Sequence, residues 1–457
     1  MPTKEAVTII GGGLAGSEAA WQLAERGIPV RLYEMRPALQ TPVHTGGDLA
    51  ELVCSNSLKS LDANSAAGAL KYELSVLGSY VLRCALETRV AAGGALAVDR
   101  EAFARLVTET LCAHTNIEVI REEFTSLPSL LKTNAPCIVA TGPLTSSAFE
   151  TQLAEILGHE SLAFFDAAAP IVEAASLAEG RLFRQSRYDK SGADYLNAPL
   201  TREEYDALVQ ELTQGTRTIP RSFETAELFQ ACQPVEEVAR SGHDTLRHGA
   251  LKPVGLVDPH TGRRPWAVVQ LRPENKEGTA YNLVGFQTNL TFGEQERIFR
   301  LIPGLANAVF SRFGVMHRNT FINSPRVLDK SFALHSAPSL RFAGQVTGTE
   351  GYAEAIASGL FVALATFATL QGMDAPLLPE ETLLGSLFAY ATDSTVSDYQ
   401  PMHVNYGIIK PLPEPPRRKK ERYASYSRRS RAAIEAFRQN NNFLSFLPSY
   451  PVPFLLP

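Results

Sequence analysis

The chain has 457 residues, of which 45% are hydrophobic and 20% are charged. This length and composition allow a large buried core in two or more domains, and they exclude a disordered or fibrous protein. The net charge is −5, and the five cysteines are sparse and odd in number, so we expect a reducing cytoplasm and no disulfide framework.

The chain opens with an apolar strand at residues 6–10 that runs into a glycine-rich turn and a helical pattern. In such a turn the first glycine permits the tight bend, the second lets backbone N–H groups approach a pyrophosphate, and the third lets the helix sit close to the strand. The second predicted strand ends at Glu34, 18 positions after Gly16 and close to the ~20 expected for the acid that binds a ribose hydroxyl. The pattern predicts a dinucleotide site formed by Gly11, Gly12, Gly13, Leu14, Ala15, Gly16 and Glu34.

Two further strands end in glycine-rich exits that can face the same nucleotide. The strand at 136–140 leads to Gly142, and the strand at 340–344 leads to Gly344 and Gln345. Gly351 then opens a long apolar helix, whose N-terminus would stabilise negative charge on a ligand. Because the chain has only one dinucleotide fingerprint, we expect one tightly bound FAD and only transient binding of NAD(P)H.

The middle of the chain has a different sequence pattern. Short segments of alternating apolar and polar residues are separated by turns rich in Pro, Gly and charged residues. Residues 266–271 and 281–286 are predicted to form neighbouring strands. The predicted fold class is therefore α/β, with a discontinuous Rossmann-like FAD-binding domain and an inserted α+β substrate domain. The expected boundaries are 1–161 and 316–441 for the FAD-binding domain, 162–315 for the insertion and 442–457 for an apolar tail, packed on the surface or poorly ordered.

Membrane insertion and export are not expected. The longest uncharged helical stretch, residues 355–370, is short for a bilayer span and is better interpreted as a buried helix. The N-terminus has only Lys4 before the first strand and no apolar segment with a cleavage site.

The segment from Lys410 to Arg431 carries nine basic residues against two acidic ones. Tyr423 and Tyr426 lie among these charges, a pattern that suits phosphate contacts with aromatic stacking on RNA. A solvated basic surface helix explains the same composition, and both interpretations stay open here.

Several segments together resemble the FAD- and folate-dependent tRNA (uracil-5-)-methyltransferases, which are relatives of the glucose-inhibited-division flavoproteins. They are residues 51–60, 93–100, 186–190, 232–236, 251–256, 282–290, 314–323 and 351–354. The resemblance implies FAD as cofactor, with methylenetetrahydrofolate as carbon donor and NAD(P)H as reductant. It also implies tRNA as partner, methylated to 5-methyluridine at position 54 of its T-loop. The alternatives are a wobble-uridine modifier of the sister family, a flavin-containing RNA-binding protein without methyl transfer, and a plain NADH oxidoreductase.

The resemblance marks Cys54 and Cys232 as catalytic. Uracil C5 is a poor nucleophile until a thiolate adds at C6, so the chemistry needs an attacking cysteine and a group that removes the C5 proton. By matching motif, Cys232 would attack C6 and Cys54 would handle the proton. Lys59 or Arg240 would favour a thiolate if folded nearby. Cys84, Cys112 and Cys137 are expected to be small buried hydrophobes, and no Cys/His cluster has the spacing of a metal site.

Two more groups are candidate substrate contacts. His317, Arg318 and Asn319 line the flavin and pterin pocket in one interpretation and form a strand-end cluster that satisfies backbone groups in the other. Arg187 and Lys190, with Tyr188, contact RNA phosphates in one interpretation and belong to a solvated loop in the other.

Overall fold

A six-stranded sheet draws its strands from both ends of the chain. The structure, a computed structural model, describes residues 6–41, 43–158, 161–189, 193–219 and 233–452. Neighbouring strands pair in parallel, except for the antiparallel pair at one edge. The order across the sheet is β16 (Ala333–Leu334), β17 (Ala337–Phe342), β7 (Cys137–Val139), β1 (Val7–Ile10), β2 (Val30–Tyr33) and β6 (Ile117–Ile120).

Helices cover this parallel sheet and complete a doubly wound α/β unit, called the nucleotide unit below. The predicted Rossmann-like fold is confirmed. Over the described residues of both units, the helices in chain order are α1 (Leu14–Ala24), α2 (Ala66–Val76), α3 (Tyr80–Glu87), α4 (Arg100–Ala113), α5 (Leu127–Thr133), α6 (Ser147–Leu157), α7 (Arg202–Gln214), α8 (Val235–Arg240), α9 (Thr245–His248), α10 (Phe292–Phe299), α11 (Ser324–Val327), α12 (Tyr352–Leu370), α13 (Leu383–Ala391) and α14 (Lys419–Asn440).

The middle of the chain forms a second, antiparallel sheet with its own hydrophobic core, called the inserted unit below. Helices α7 to α10 belong to this part of the chain. Strands β12 and β13 pair as the sequence predicted, with Leu271 opposite Leu283. The order is β10 (Phe183–Arg184), β11 (Leu196–Leu200), β12 (Ala267–Pro273), β13 (Ala280–Leu283), β9 (Ile171–Glu173) and β14 (Phe310–Arg312).

Two small sheets lie between the larger ones. The antiparallel ribbon of β8 (Ser161–Ala167) and β15 (Met316–Ile322) leads the chain into and out of the inserted unit. The second sheet has the order β3 (Ser57–Ser60), β5 (Ala95–Val98) and β4 (Arg89–Val90).

Helix α14 and the chain after it pack on the nucleotide unit. The Ser427 hydroxyl donates to the Ala63 carbonyl, and Ser430 donates to the buried Glu73 carboxylate. Leu444 and Val452 are buried, and the Arg26 Nε donates to the Leu444 carbonyl at 2.8 Å. The described part of the predicted tail is therefore docked on the surface.

Helix α12 is almost wholly buried in the centre of the nucleotide unit. It is long and apolar enough to cross a membrane, yet 89% of its most apolar window is buried inside the protein. Core helices of soluble proteins share these properties, so the helix is weak evidence for a membrane span.

Helices α1 and α12 approach so closely that their backbones touch. A Cβ built on Gly359 would lie 2.2 Å from the carbonyl oxygen of Ala15, and a Cβ on Gly344 would lie 2.9 Å from the Ala15 Cβ. Only glycine allows these approaches, because the obstructing atoms belong to backbone or to a short side chain. The contact joins the first and last parts of the nucleotide unit.

We expect Gly359→Ala to lower the free energy of unfolding by about 1–3 kcal/mol, because the methyl group overpacks the α1–α12 contact. Chemical denaturation measures the change. Gly293→Ala is the matched control, since Gly293 is also helical but a Cβ there has no neighbour within 4 Å. A Gly359→Ala protein as stable as the control would contradict the close approach.

Candidate active site

The glycine turn after β1 leaves part of its backbone open to a ligand. Gly11 has a φ of +105°, and a Cβ there would lie 2.5 Å from the Ala140 carbonyl oxygen. A Cβ on Gly16 would lie 1.9 Å from the Gly11 carbonyl oxygen. By contrast, a Cβ on Gly13 meets no atom within 4 Å and would project into open space at the N-terminus of α1. That position suits a bound pyrophosphate.

A cleft lies at the carboxyl ends of β1, β7 and β17. Gly142 has a φ of +68° and, like Gly13, open space where a Cβ would stand. These bare backbone surfaces form a cradle that side chains would fill, so the residues present fit the expected FAD. The predicted cofactor residues on the cleft wall are Gly11, Gly13, Leu14, Ala15, Glu34, Gly142, Gly344 and Gln345.

The Glu34 carboxylate at the end of β2 is buried and already shared among protein donors. Its Oε2 accepts the Gly12 N–H at 3.0 Å. Its Oε1 accepts the Arg36 backbone N–H at 3.0 Å and the Arg36 Nε at 2.9 Å. The guanidinium of Arg36, 2% exposed, also pairs with Glu51 at 2.7 Å. Arg36 and Glu51 line the cleft, and neither is among the site residues predicted from the sequence.

His44 is a further wall residue that sequence reasoning missed. Burial lowers its pKa to about 4, and the nearby charge of Arg36 acts in the same direction. The imidazole is therefore neutral at pH 7. Burial raises the pKa of Glu51, but the Thr45 N–H, His44 and Arg36 outweigh this and hold the pKa below its ordinary value. Glu34, Arg36 and Glu51 thus form a cluster of ion pairs on this side of the cleft.

Cys54 lies at the edge of the cleft, directly after the wall residue Val53. The Tyr352 hydroxyl at the start of α12 accepts the backbone N–H groups of Cys54 and Ser55, at 2.9 and 3.1 Å. The Cys54 Sγ donates to the Ala167 carbonyl at 3.5 Å, at the end of β8. Tyr352 lines the cleft itself, so it links the thiol segment to the ligand space.

Two buried arginines lie beside the Cys54 segment. Arg100 donates to the Leu52 carbonyl and pairs with Glu274 at 3.0 Å. Electrostatic interactions link Cys54 with both Arg100 and Arg272. Lys59, which the sequence offered as a neighbour of a thiolate, instead pairs with Glu354 at 3.4 Å.

The remaining predicted cofactor residues, Gly12, Gly16 and Gly351, do not line the cleft but lie next to residues that do. Gly12 donates to Glu34, Gly16 packs against the turn, and Gly351 immediately precedes Tyr352 with a φ of +115°. Their positions are compatible with a supporting role, and their contact with a cofactor stays a prediction.

Residues His317, Arg318 and Asn319 lie in the middle of β15, so they are not a strand-end cluster. In the ribbon Asn319 stands opposite Phe164. Its side chain is fully buried, and within the described part of the chain neither amide atom has a hydrogen-bond partner. The next residue, Thr320, donates its backbone N–H to the carbonyl of the cleft residue Pro143 at 2.9 Å.

Arg187 is half-buried and bonded within the protein. Its Nε donates to Gln270 Oε1 at 2.9 Å, and its Nη1 donates to the carbonyls of Lys252 and Val254. These bonds brace the inserted unit, and contact with RNA stays a prediction. Lys190 and Cys232 lie outside the described residues.

The three cysteines expected to be small buried hydrophobes do not behave alike. Cys84 and Cys137 are buried, and burial raises the pKa of both thiols, that of Cys84 to about 12. The expectation is wrong for Cys112, which is exposed near the end of α4 because its position faces solvent on that amphipathic helix.

The basic segment has two kinds of side chain. Arg429 and Arg431 are partly buried, with Arg429 donating to the Lys410 and Pro411 carbonyls and Arg431 stacked over the Tyr72 ring at 4.5 Å. Four consecutive residues at the start of α14, Arg417, Arg418, Lys419 and Lys420, are exposed. The exposed four concentrate positive charge at the start of this helix.

Comparison with known proteins finds similarity over almost the whole chain. The family model of glucose inhibited division protein A matches residues 6–374. Two relatives carry the name methylenetetrahydrofolate--tRNA-(uracil-5-)-methyltransferase TrmFO. The protein from Pelotomaculum thermopropionicum is 49% identical, covering 96% of this chain and 99% of the relative. The protein from Moorella thermoacetica is 54% identical, covering 89% and 92%.

The solved structure of Aquifex aeolicus GidA has a similar fold, with a TM-score of 0.70 and 14% sequence identity. The alignment covers 97% of this chain and 74% of that chain. At this identity the similarity supports the fold alone.

We expect Gly13→Val to yield a folded, colourless protein, because the new side chain fills the space where the pyrophosphate of FAD would bind. The absorbance of the purified protein near 450 nm measures the retained flavin. Gly180→Val is the matched control, since Gly180 has equally open surroundings but lies on the inserted unit. Full flavin absorbance in a folded Gly13→Val protein would refute the assigned turn.

Proposed function

The chain belongs to the family of methylenetetrahydrofolate--tRNA-(uracil-5-)-methyltransferases, and we propose that it methylates C5 of a uridine in the T-loop of tRNA. The carbon comes from methylenetetrahydrofolate, the electrons come from NAD(P)H, and the product is 5-methyluridine at tRNA position 54. The observation that carries this proposal is Cys54 at the mouth of a dinucleotide cleft, bonded through its backbone to the cleft residue Tyr352.

The residues that line the cleft support a proposed binding site for the cofactor. The open backbone at Gly13 and Gly142 would receive the pyrophosphate, and Glu34, which lines the cleft, would contact the ribose. FAD bound there supplies the two-electron chemistry that a methylene-level donor needs to yield a methyl group. The Tyr352 hydroxyl holds the Cys54 segment beside this space.

The two cysteines supply the chemistry at uracil. The Cys232 thiolate adds to C6, which makes C5 nucleophilic. After C5 forms its bond to the donated methylene carbon, Cys54 accepts the C5 proton as the bond between that carbon and its carrier breaks. A hydride equivalent, which NAD(P)H would supply through FAD, then reduces the methylene group to methyl, and the sulfur–C6 bond breaks to restore the C5=C6 double bond. The bonds of the Cys54 segment to the Tyr352 hydroxyl and the Ala167 carbonyl support this role.

The inserted domain, residues 162–315, and the basic segment are assigned to tRNA. The four exposed cations at the start of α14 contact phosphates, and we place the enzyme in the cytoplasm without membrane association. A wobble-uridine modifier is the less supported alternative, because the chain covers almost the full length of relatives named for uracil methylation at about 50% identity.

We expect Cys232→Ala to retain FAD and NAD(P)H oxidation yet to form no 5-methyluridine, measured by nucleoside analysis of treated tRNA. It should also form no covalent adduct with tRNA containing 5-fluorouridine, whose fluorine blocks loss from C5 and traps the thiol-bound species. Cys54→Ala should lose methylation but still form the adduct, because the attacking thiol remains.

The exposed Cys112 supplies the control for these variants, since Cys112→Ala should methylate normally. Normal methylation by Cys232→Ala would overturn the assigned roles while leaving the family membership intact.

Replacing Arg417, Arg418, Lys419 and Lys420 with glutamine should weaken tRNA binding and flatten its salt dependence. The slope of log affinity against log salt should fall by up to about 0.9 for each phosphate that the variant no longer binds, by analogy with duplex DNA. Filter binding across a salt series measures the slope. The control neutralises four exposed cations on other faces of the nucleotide unit, namely Arg31, Arg83, Arg105 and Lys132. An unchanged slope would instead support the interpretation of this segment as a solvated surface helix.

A further inference from the structure

The segment that carries Cys54 has no regular secondary structure between residue 51 and the start of β3. Its backbone polar groups are nevertheless bonded. The Leu52 carbonyl accepts from Arg100 on α4, and the N–H groups of Cys54 and Ser55 donate to Tyr352 on α12. Arg100 and Tyr352 both belong to the nucleotide unit. The other side chains that bond this segment belong to the inserted unit.

Arg312 on the edge strand β14 reaches out of the inserted unit into the cleft wall. Its Nη2 donates to the Val53 carbonyl at 2.7 Å and to the Val43 carbonyl at 2.8 Å. Val53 and His44 both line the cleft, and Val53 directly precedes Cys54. One guanidinium group therefore joins two cleft loops and ties both to the inserted unit.

Arg272 on β12 forms a second anchor from the same unit. Its Nε donates to the Asn56 Oδ1 at 2.7 Å. The Asn56 amide is fully buried, and its Nδ2 donates to the carbonyls of Val98 and Pro273 at 2.9 and 3.0 Å. Asn56 thus fixes the far end of the Cys54 segment between the two units.

We propose that Arg312 and Arg272 are positioning residues, through which the inserted unit holds Cys54 at the nucleotide cleft. Neither guanidinium group touches the cleft as a wall residue, and both act through the segment they bond. The proposal rests on the proposed function in one respect, the catalytic role of Cys54. Its mechanism is geometric, since a misplacement of about 1 Å in a reacting group costs on the order of 100-fold in rate.

The bonds themselves favour positioning over general stability. Burying a guanidinium group is unfavourable unless its hydrogen bonds are good, and apolar residues often replace such groups without loss of stability. Arg312 is bonded to two backbone carbonyls, and Arg272 is bonded to side-chain amides of Asn56 and Asn282. Such bonds fix where a loop lies.

The test uses the flavin-bound full-length enzyme with Arg312→Gln and Arg272→Gln. We expect each variant to keep its flavin, to lose between about 10-fold and 100-fold in kcat for methylation, and to change the KM for tRNA and for folate by less than about two-fold. Arg312→Lys should recover most of the kcat, because its ammonium group can donate to both carbonyls. Arg341→Gln is the matched control, since Arg341 and Arg272 are 6% and 7% exposed and Arg341 bonds Thr369 instead.

A second readout does not depend on methylation. Iodoacetamide modifies the folded protein, and peptide mass spectrometry compares the rate at Cys54 with the rate at the exposed Cys112. A released segment should raise the Cys54 to Cys112 ratio several-fold in Arg312→Gln and Arg272→Gln, and leave it unchanged in Arg341→Gln.

An unchanged ratio with a kcat within about two-fold of the natural protein, in either folded glutamine variant, would overturn the proposal. If one variant loses flavin or melts early, the other decides, because the two arginines bond opposite ends of the segment. If the natural enzyme makes no 5-methyluridine, the proposed function fails, and the alkylation ratio still decides whether the arginines hold Cys54.

Discussion

The close approach of α1 and α12 is the constraint on which the active site depends. Gly359 lets the Ala15 backbone pack directly on α12, which brings the last part of the nucleotide unit against the first. The N-terminus of α12 then lies beside the glycine turn, and Tyr352 reaches the backbone of the Cys54 segment. A larger residue at 359 would separate the two helices, so the dinucleotide cleft and the thiol would no longer share one wall.

Charge in the cleft is arranged around a buried guanidinium group. Arg36 lies between the carboxylates of Glu34 and Glu51, and it offsets the repulsion that these two buried acids would otherwise exert. The imidazole of His44 stays neutral because burial and the same guanidinium charge disfavour its protonation. A ligand bound here would therefore meet ion pairs that the protein has already formed.

The parts of the site that follow from local sequence were predictable, and the parts built by distant residues were not. The glycine turn, Glu34 and the strand exits at Gly142 and Gly344 are encoded within single strand–turn segments, so their pattern predicts a nucleotide cleft. The surroundings of Cys54 depend on Arg100, Arg272 and Arg312, which converge only through tertiary packing. The bonds of Arg187 to Gln270 and to the Val254 carbonyl were likewise not predictable from its local motif, because they form through tertiary packing of the inserted unit.

The ribbon of β8 and β15 contributes both to the surroundings of Cys54 and to the predicted substrate contacts. Its first strand ends at Ala167, whose carbonyl accepts from the Cys54 Sγ, and its second strand carries Asn319. A buried amide without a partner costs about 1–3 kcal/mol, so an unpartnered Asn319 within the described residues is a physical reason to keep it among the predicted substrate contacts. The ribbon between the two units would then do more than join them, because it carries the acceptor of the Cys54 thiol at one end and a hydrogen-bonding group for a ligand in its middle.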